Sequence, residues 1–145
     1  MTSSEIKIKQ RYDRYGKLVK LYNVLGQLIA ELKRSGGVSG IDYEAVRIDG
    51  GIKVSIEERV LRQVEKYEEM KDDALDEVFA IGDEITRSLK LLTEDERIVV
   101  IYRHLQGLPW KEIPEKVHYS ERKVALLYAS AISKIATAQK ESVGK

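Results

Sequence analysis

The sequence predicts an all-α protein: a long antiparallel helical hairpin followed by a C-terminal domain of short helices. Three observations predict it. The 145 residues are 34% charged and 43% hydrophobic with only two prolines, a composition suited to amphipathic helices. Apolar residues recur at alternating steps of three and four over two long stretches. A Ser or Thr with Glu three residues on, the signature of a capping box, precedes or opens three helical stretches, and glycine pairs interrupt the pattern between the first two.

The first helix is expected over 4–34. Thr2-Ser3-Ser4-Glu5 caps it, and Gly36-Gly37 stops it. Ile8, Tyr12, Tyr15, Val19, Tyr22 and Ile29 form one stripe, with Gly26 in its open slot; Leu18, Leu21, Leu25, Leu28 and Leu32 form a second beside it. Such a face is wider than a two-strand seam requires. The tyrosines read as seam residues. Residues 35–54 read as a loop with room for a strand or hairpin, and Asp49-Gly50 is a turn signal. No GKS or GKT follows the glycines, so they are not a nucleotide loop.

Ser55-Ile56-Glu57-Glu58 is expected to cap a second helix over 55–91. Val60, Val64, Tyr67, Ala74, Val78, Ile81, Ile85 and Leu92 keep seam spacing, Lys71 and Ser88 occupy its polar slots, and Gly82 marks a possible bend. An isolated helix this long cannot hide that stripe, so it is expected to pair with the first. The surplus apolar face of the first helix then predicts a homo-oligomer, most simply a dimer. Residues 1–92 thus form a hairpin and oligomerisation region, 93–139 a separate domain, and 140–145 a fraying tail.

Net charge is +1, distributed as +5 over residues 1–34, −6 over 35–92 and +2 over 93–145. Complementary helices account for the first two values; a basic arm toward a polyanion is the other reading. Absence of cysteine rules out disulfides and thiolate metal sites, and His104 and His118 alone make a poor metal site. No cofactor is expected, and no Ser/His/Asp, Cys/His or paired-carboxylate arrangement suggests an enzyme. No apolar run nears the ~18 residues of a membrane span, and the N-terminus has no signal-peptide stretch. A cytoplasmic location in a bacterial host cell is expected.

In the C-terminal domain Thr93-Glu94-Asp95-Glu96 caps a helix over 93–106 with Ile98, Val99, Ile101, Tyr102 and Leu105 as its apolar face. A short helix from Trp110 to Val117, the turn His118-Tyr119-Ser120 and a helix from Glu121 to Gln139 follow. Trp110 reads as a hydrophobic plug. Two helices across a three-residue turn have the layout of a helix-turn-helix, in which the first braces and the second enters the major groove. Ile113 and Val117 would fix the interhelical angle against Val124 and Leu127, Ser120 would cap, and Arg122 and Lys123 would reach phosphates or base edges.

Residues 92–135, LTEDERIVVIYRHLQGLPWKEIPEKVHYSERKVALLYASAISKI, resemble region 4 of bacterial sigma factors. The matching positions are Leu92 and Arg97, the run Arg103 to Leu108 with His104 for the family's Tyr, Glu112-Ile113, Ser120-Glu121 with Val124, and Ala131 to Ile135. Nothing resembles sigma region 2. The whole layout is instead similar to small phage late-gene transcriptional regulators of the ArpU and RinA types. The resemblance implies a sequence-specific DNA-binding regulator, an activator of phage or mobile-element genes, whose partners are double-stranded DNA and RNA polymerase. A sigma-like adaptor that binds RNA polymerase or another protein, and a small-terminase-like DNA-packaging protein, are the alternatives.

The expected DNA-contacting residues are Ser120, Glu121, Arg122, Lys123 and Leu126, with Tyr119, Lys111 and Arg103 beside them. Three positions depart from the family pattern. Pro114 stands inside the expected bracing helix, where it forfeits a hydrogen bond. Ala125 and Leu126 occupy slots that are polar in many sigma factors. Glu121 favours the helix dipole but repels phosphate.

Overall fold

Thr2 caps the first helix. Its Oγ1 accepts from the Glu5 backbone N–H at 3.2 Å and donates to the Glu5 carboxylate at 3.2 Å, so an orphan donor of the first turn is satisfied. The computed structural model describes residues 2–36 and 50–143, with side chains described for 2–34 and 57–141. All regular structure among them is helical, with no strand. Helix α1 spans Ser3–Glu31 and ends in a π turn, Leu32–Gly36. Helix α2 spans Gly50–Ser88 and closes in a 3₁₀ turn, Leu89–Leu91. Helix α3, Glu94–Val100, runs into a π turn, Ile101–Leu105. Helices α4, Ile113–Val117, and α5, Glu121–Val143, complete the chain.

Two boundaries differ from the sequence reading. Helix α2 starts at Gly50, five residues before the expected start at Ser55, so Ser55 is not its cap. A Ser-x-x-Glu run is tolerated inside a helix, and no proline at 50–54 prevents propagation toward the N-terminus. The expected strand or hairpin lies largely outside the described residues. At the other end α5 continues through Val143, so residues 140–143 are helix rather than fraying tail.

Two compact units make up the chain: Met1–Lys17 with Glu77–Lys145, and Leu18–Asp76. The first turns of α1 and the end of α2 cluster with the C-terminal helices.

In the second unit Leu18, Leu25, Ile29, Val64 and Ala74 are buried. Lys71, one of the polar seam slots of α2, lays its ammonium 4.8 Å from the Tyr22 ring centroid. A Cβ on Gly26 would sit 3.5 Å from that ammonium. The open slot on α1 and the polar slot on α2 therefore face each other. Lys33 and Glu68 pair at 3.1 Å.

In the first unit rising numbers on α1 meet falling numbers on α2, so these segments run antiparallel. Arg11 bonds Glu84 through both Nε and Nη2, at 2.9 and 2.7 Å, and Arg14 holds Glu77 in the same bidentate way. Both pairs are exposed and contribute little stability, but a bidentate fork fixes alignment. The complementary segment charges thus find partners. Ser88, the other polar slot, accepts from the Tyr12 hydroxyl at 3.0 Å and donates to the Ile85 carbonyl. Gly82 does not interrupt α2; its missing Cβ would lie 3.3 Å from the Tyr15 ring, so the glycine admits that ring. Ile81 and Ile85 are fully buried, each worth roughly 1.5–3 kcal/mol in apolar transfer.

Helix α3 packs chiefly on α5, whose Val124, Tyr128, Ala131, Ile132, Ile135 and Ala136 form one buried stripe. The apolar face of α3 differs from the expected one. Val99, Val100 and His104 are buried, whereas Ile98 is exposed and Ile101, Tyr102 and Leu105 are half-buried. In the π turn Gln106 N–H donates to Ile101 five residues back. His104 follows Val100 by four residues and so shares its face of the helix. Gly107, at φ 71°, ends the helix.

Candidate nucleic-acid interface

Pro109 to Ser120 is where the sequence places two helices in quick succession, and its geometry is set by three local devices. A turn closed by Glu112 N–H on the Pro109 carbonyl leads into α4. This helix begins at Ile113, later than the expected Trp110, and Pro114 falls in its first turn. There a missing N–H costs nothing, so the expected loss of a helix hydrogen bond does not arise. His118 then ends α4 in the left-handed conformation, φ 60° and ψ 39°, with its N–H on the Pro114 carbonyl. Finally Ser120 caps α5, its Oγ accepting from Lys123 N–H at 3.1 Å while its carbonyl accepts from Val124 N–H at 3.0 Å. Ile113 and Val124 are buried, and Val117 and Leu127 half-buried, among the contacting helices α4 and α5.

The start of α5 consequently has two faces. Val124 and Tyr128 point into the unit, whereas Glu121, Arg122, Lys123 and Leu126 are exposed, Leu126 to 62%. Ser120 is exposed as well. Among the described residues Arg122 has no ion-pair partner. Lys123 lays its ammonium over the half-buried Tyr119 ring, 3.7 Å from the centroid. Lys111 is exposed and shares an open cleft of about 600 Å³ with Lys9, Trp110, Glu121, Ala125 and Tyr128.

Arg103 has a different environment from the other expected contacts. It is half-buried, donates to the Leu108 carbonyl at 3.2 Å, and stacks its guanidinium 4.8 Å from the Trp110 ring centroid. Trp110 also meets the Tyr128 ring edge-on, 4.7 Å between centroids. At 38% exposed it is a wall of the cleft more than a buried plug.

Behind this surface lie two polar clusters that sequence reasoning did not find. Glu96, the last residue of the Thr93 capping box, is 2% exposed, and its carboxylate accepts from Thr93 N–H, Ser130 Oγ and Lys134 Nζ at 2.9, 2.5 and 2.8 Å. Burial opposes its ionisation, but the hydrogen bonds from Lys134, Ser130 and Thr93 outweigh it and hold the carboxyl down to about 2. The residue therefore ties the start of α3 to the middle of α5.

The second cluster is a chain from Asp13 through His104 to Tyr128. His104 Nδ1 faces the Asp13 carboxylate at 3.5 Å, and Nε2 is 2.7 Å from the Tyr128 hydroxyl. The tautomer of the ring sets which partner donates in the Nε2–Tyr128 hydrogen bond. Burial, then the Arg103 and Lys9 charges, pushes the imidazole down to about 4. Burial also pushes the Tyr128 hydroxyl up, so it keeps its proton. This chain joins α1, the π turn and α5. Its only sequence signal is His104 standing where the resembled family has Tyr.

Among the described residues no group of three or more His, Cys, Asp or Glu side chains is placed to hold a metal ion. Among the described residues no helix is long and apolar enough to cross a membrane. No family model, curated protein or solved structure matches the chain.

Proposed function

We propose that the protein is a sequence-specific DNA-binding transcriptional regulator in which α4, the turn 118–120 and α5 act as a helix-turn-helix. The observation that carries the reading is the two-faced start of α5. Ser120 caps it, Val124 and Tyr128 anchor it, and Arg122, Lys123 and Leu126 are left outward on its first two turns. A recognition helix needs this arrangement, since its N-terminal side chains must reach base edges while its back is held. The resemblance of residues 92–135 to sigma region 4, and of the layout to ArpU- and RinA-type regulators, supports activation of phage or mobile-element genes. The paired segments of α1 and α2 then serve as the hairpin, and the surplus apolar face of α1 as a dimer contact.

Binding is tested by gel shift or fluorescence anisotropy on the intergenic DNA flanking the protein's own gene. Arg122→Ala with Lys123→Ala is expected to abolish specific binding with helicity unchanged, each single change costing about 1–3 kcal/mol if it reads a base. Unchanged affinity in the double variant would place recognition elsewhere. The 62% exposure of Leu126 favours one second reading, an adaptor that docks this face on RNA polymerase or another protein. A chain that shifts no duplex even at low salt, yet is retained by polymerase, would establish that reading instead.

A further inference from the structure

The basic excess at the start of the chain is divided between two uses. Arg11, Arg14 and Lys33 are each paired with a glutamate of α2. Lys9 is not: no carboxylate among the described residues lies within ion-pair distance of it, and its ammonium rests 5.1 Å from the centroid of the Tyr128 ring, on α5. It lines the same cleft as Lys111 and Glu121. A ring beneath an ammonium attracts its charge without consuming its three N–H donors. The cleft therefore presents two ammonium groups against one carboxylate, beside the first turn of α5.

We infer that Lys9 and Lys111 together hold a phosphate of the DNA backbone, which makes the start of α1 part of the nucleic-acid interface. The inference rests on the DNA-binding reading above and extends it to a residue outside the sigma-like segment. A duplex engaged by Arg122 and Lys123 carries its phosphates past the neighbouring cleft, where a pair of lysines is matched to an anion by charge and donor number. Such a contact positions the duplex and reads no sequence. Glu121 faces the same cleft and opposes it.

The experiment is a salt titration of binding by the full chain, on its intergenic duplex and on a random-sequence duplex of equal length. Lys9→Met keeps the aliphatic cover over Tyr128 and removes the charge. It and Lys111→Met are each expected to lower the slope of log K against log salt by about 1, and to weaken both duplexes alike, up to about tenfold at 0.1 M salt. Lys9→Arg should restore the slope, and Glu121→Gln should tighten binding. A melting temperature for Lys9→Met equal to wild type separates lost charge from lost packing; if it falls, the slope of Lys9→Arg against that of Lys9→Gln decides. Unchanged slope and affinity in the Lys9 variants, while the Arg122/Lys123 variant loses binding, overturns the inference and leaves the DNA reading standing. Failure of the wild-type chain to bind either duplex overturns both.

Discussion

Glu96 keeps a full charge where only 2% of its surface is exposed, because three donors converge on it. Its folded value, about 2, lies below the ordinary 4.5. Folding therefore gains from its ionisation at any pH above about 4.5, and that gain is lost as pH falls from there toward 2. A shift of this size corresponds to roughly 3 kcal/mol. Glu96→Gln is expected to cost about 1–3 kcal/mol at pH 7, since an amide cannot satisfy all three donors. Urea unfolding across pH 2–7 checks it: the difference between wild type and variant should shrink through the acid window, and a constant difference would remove the assignment. His104 acts in the adjoining window, with the same sense. Its folded value, about 4, is below 6.5, so the neutral ring supports the fold above 6.5 and that support declines as pH falls toward 4.

Helix ends are where single residues have the largest local effect. The caps Thr2, Thr93 and Ser120 were legible, because a hydroxyl with a carboxylate or a new apolar period behind it has few other uses. The termination of α4 was not. His118 sits at φ 60° with a Cβ that clashes in the left-handed region, a cost of about 1–2 kcal/mol for a residue other than glycine. Part of that gain is offset by the extra unfolded-state freedom of glycine. His118→Gly is therefore expected to raise stability by about 0.5–1 kcal/mol and the melting temperature by about 2–4 °C. Calorimetry checks it, and a lower melting temperature would mean the imidazole makes contacts that outweigh the strain. The apolar face of α3 was also misread: Ile98 and Val100, both ahead of the π turn, are exposed and buried respectively, because the covered side of so short a helix is set by its packing on α5.

At the scale of the whole molecule α1 carries both buried and exposed apolar side chains. Leu18, Leu25 and Ile29 are buried, yet Leu21 is 40% and Val24 58% exposed one turn apart. Leu21 belongs to the double stripe and Val24 lies outside both stripes, so the proposed dimer would cover these two side chains. Light scattering at micromolar concentration is expected to give twice the 16.6 kDa chain mass, and Leu21→Glu with Val24→Glu to give the monomer. A wild-type monomer would remove the dimer from the proposal.

The sequence by itself determined the all-helical class, the caps Thr2, Thr93 and Ser120 and most of the buried seam, because these depend on neighbours within a turn or two of each residue. It also marked Gly26, Lys71 and Ser88 as irregular seam positions, without their partners. Only the tertiary structure decided that Lys71 lies over Tyr22 beside Gly26, that Ser88 accepts from Tyr12, and that Gly82 admits Tyr15. It likewise decided that Glu96 bridges to Ser130 and Lys134, and that Asp13, His104 and Tyr128 form one chain. Each of these joins residues tens of positions apart, and pairing over such distances is set by which helix faces meet. Local periodicity records that a face exists; its partner is chosen by packing.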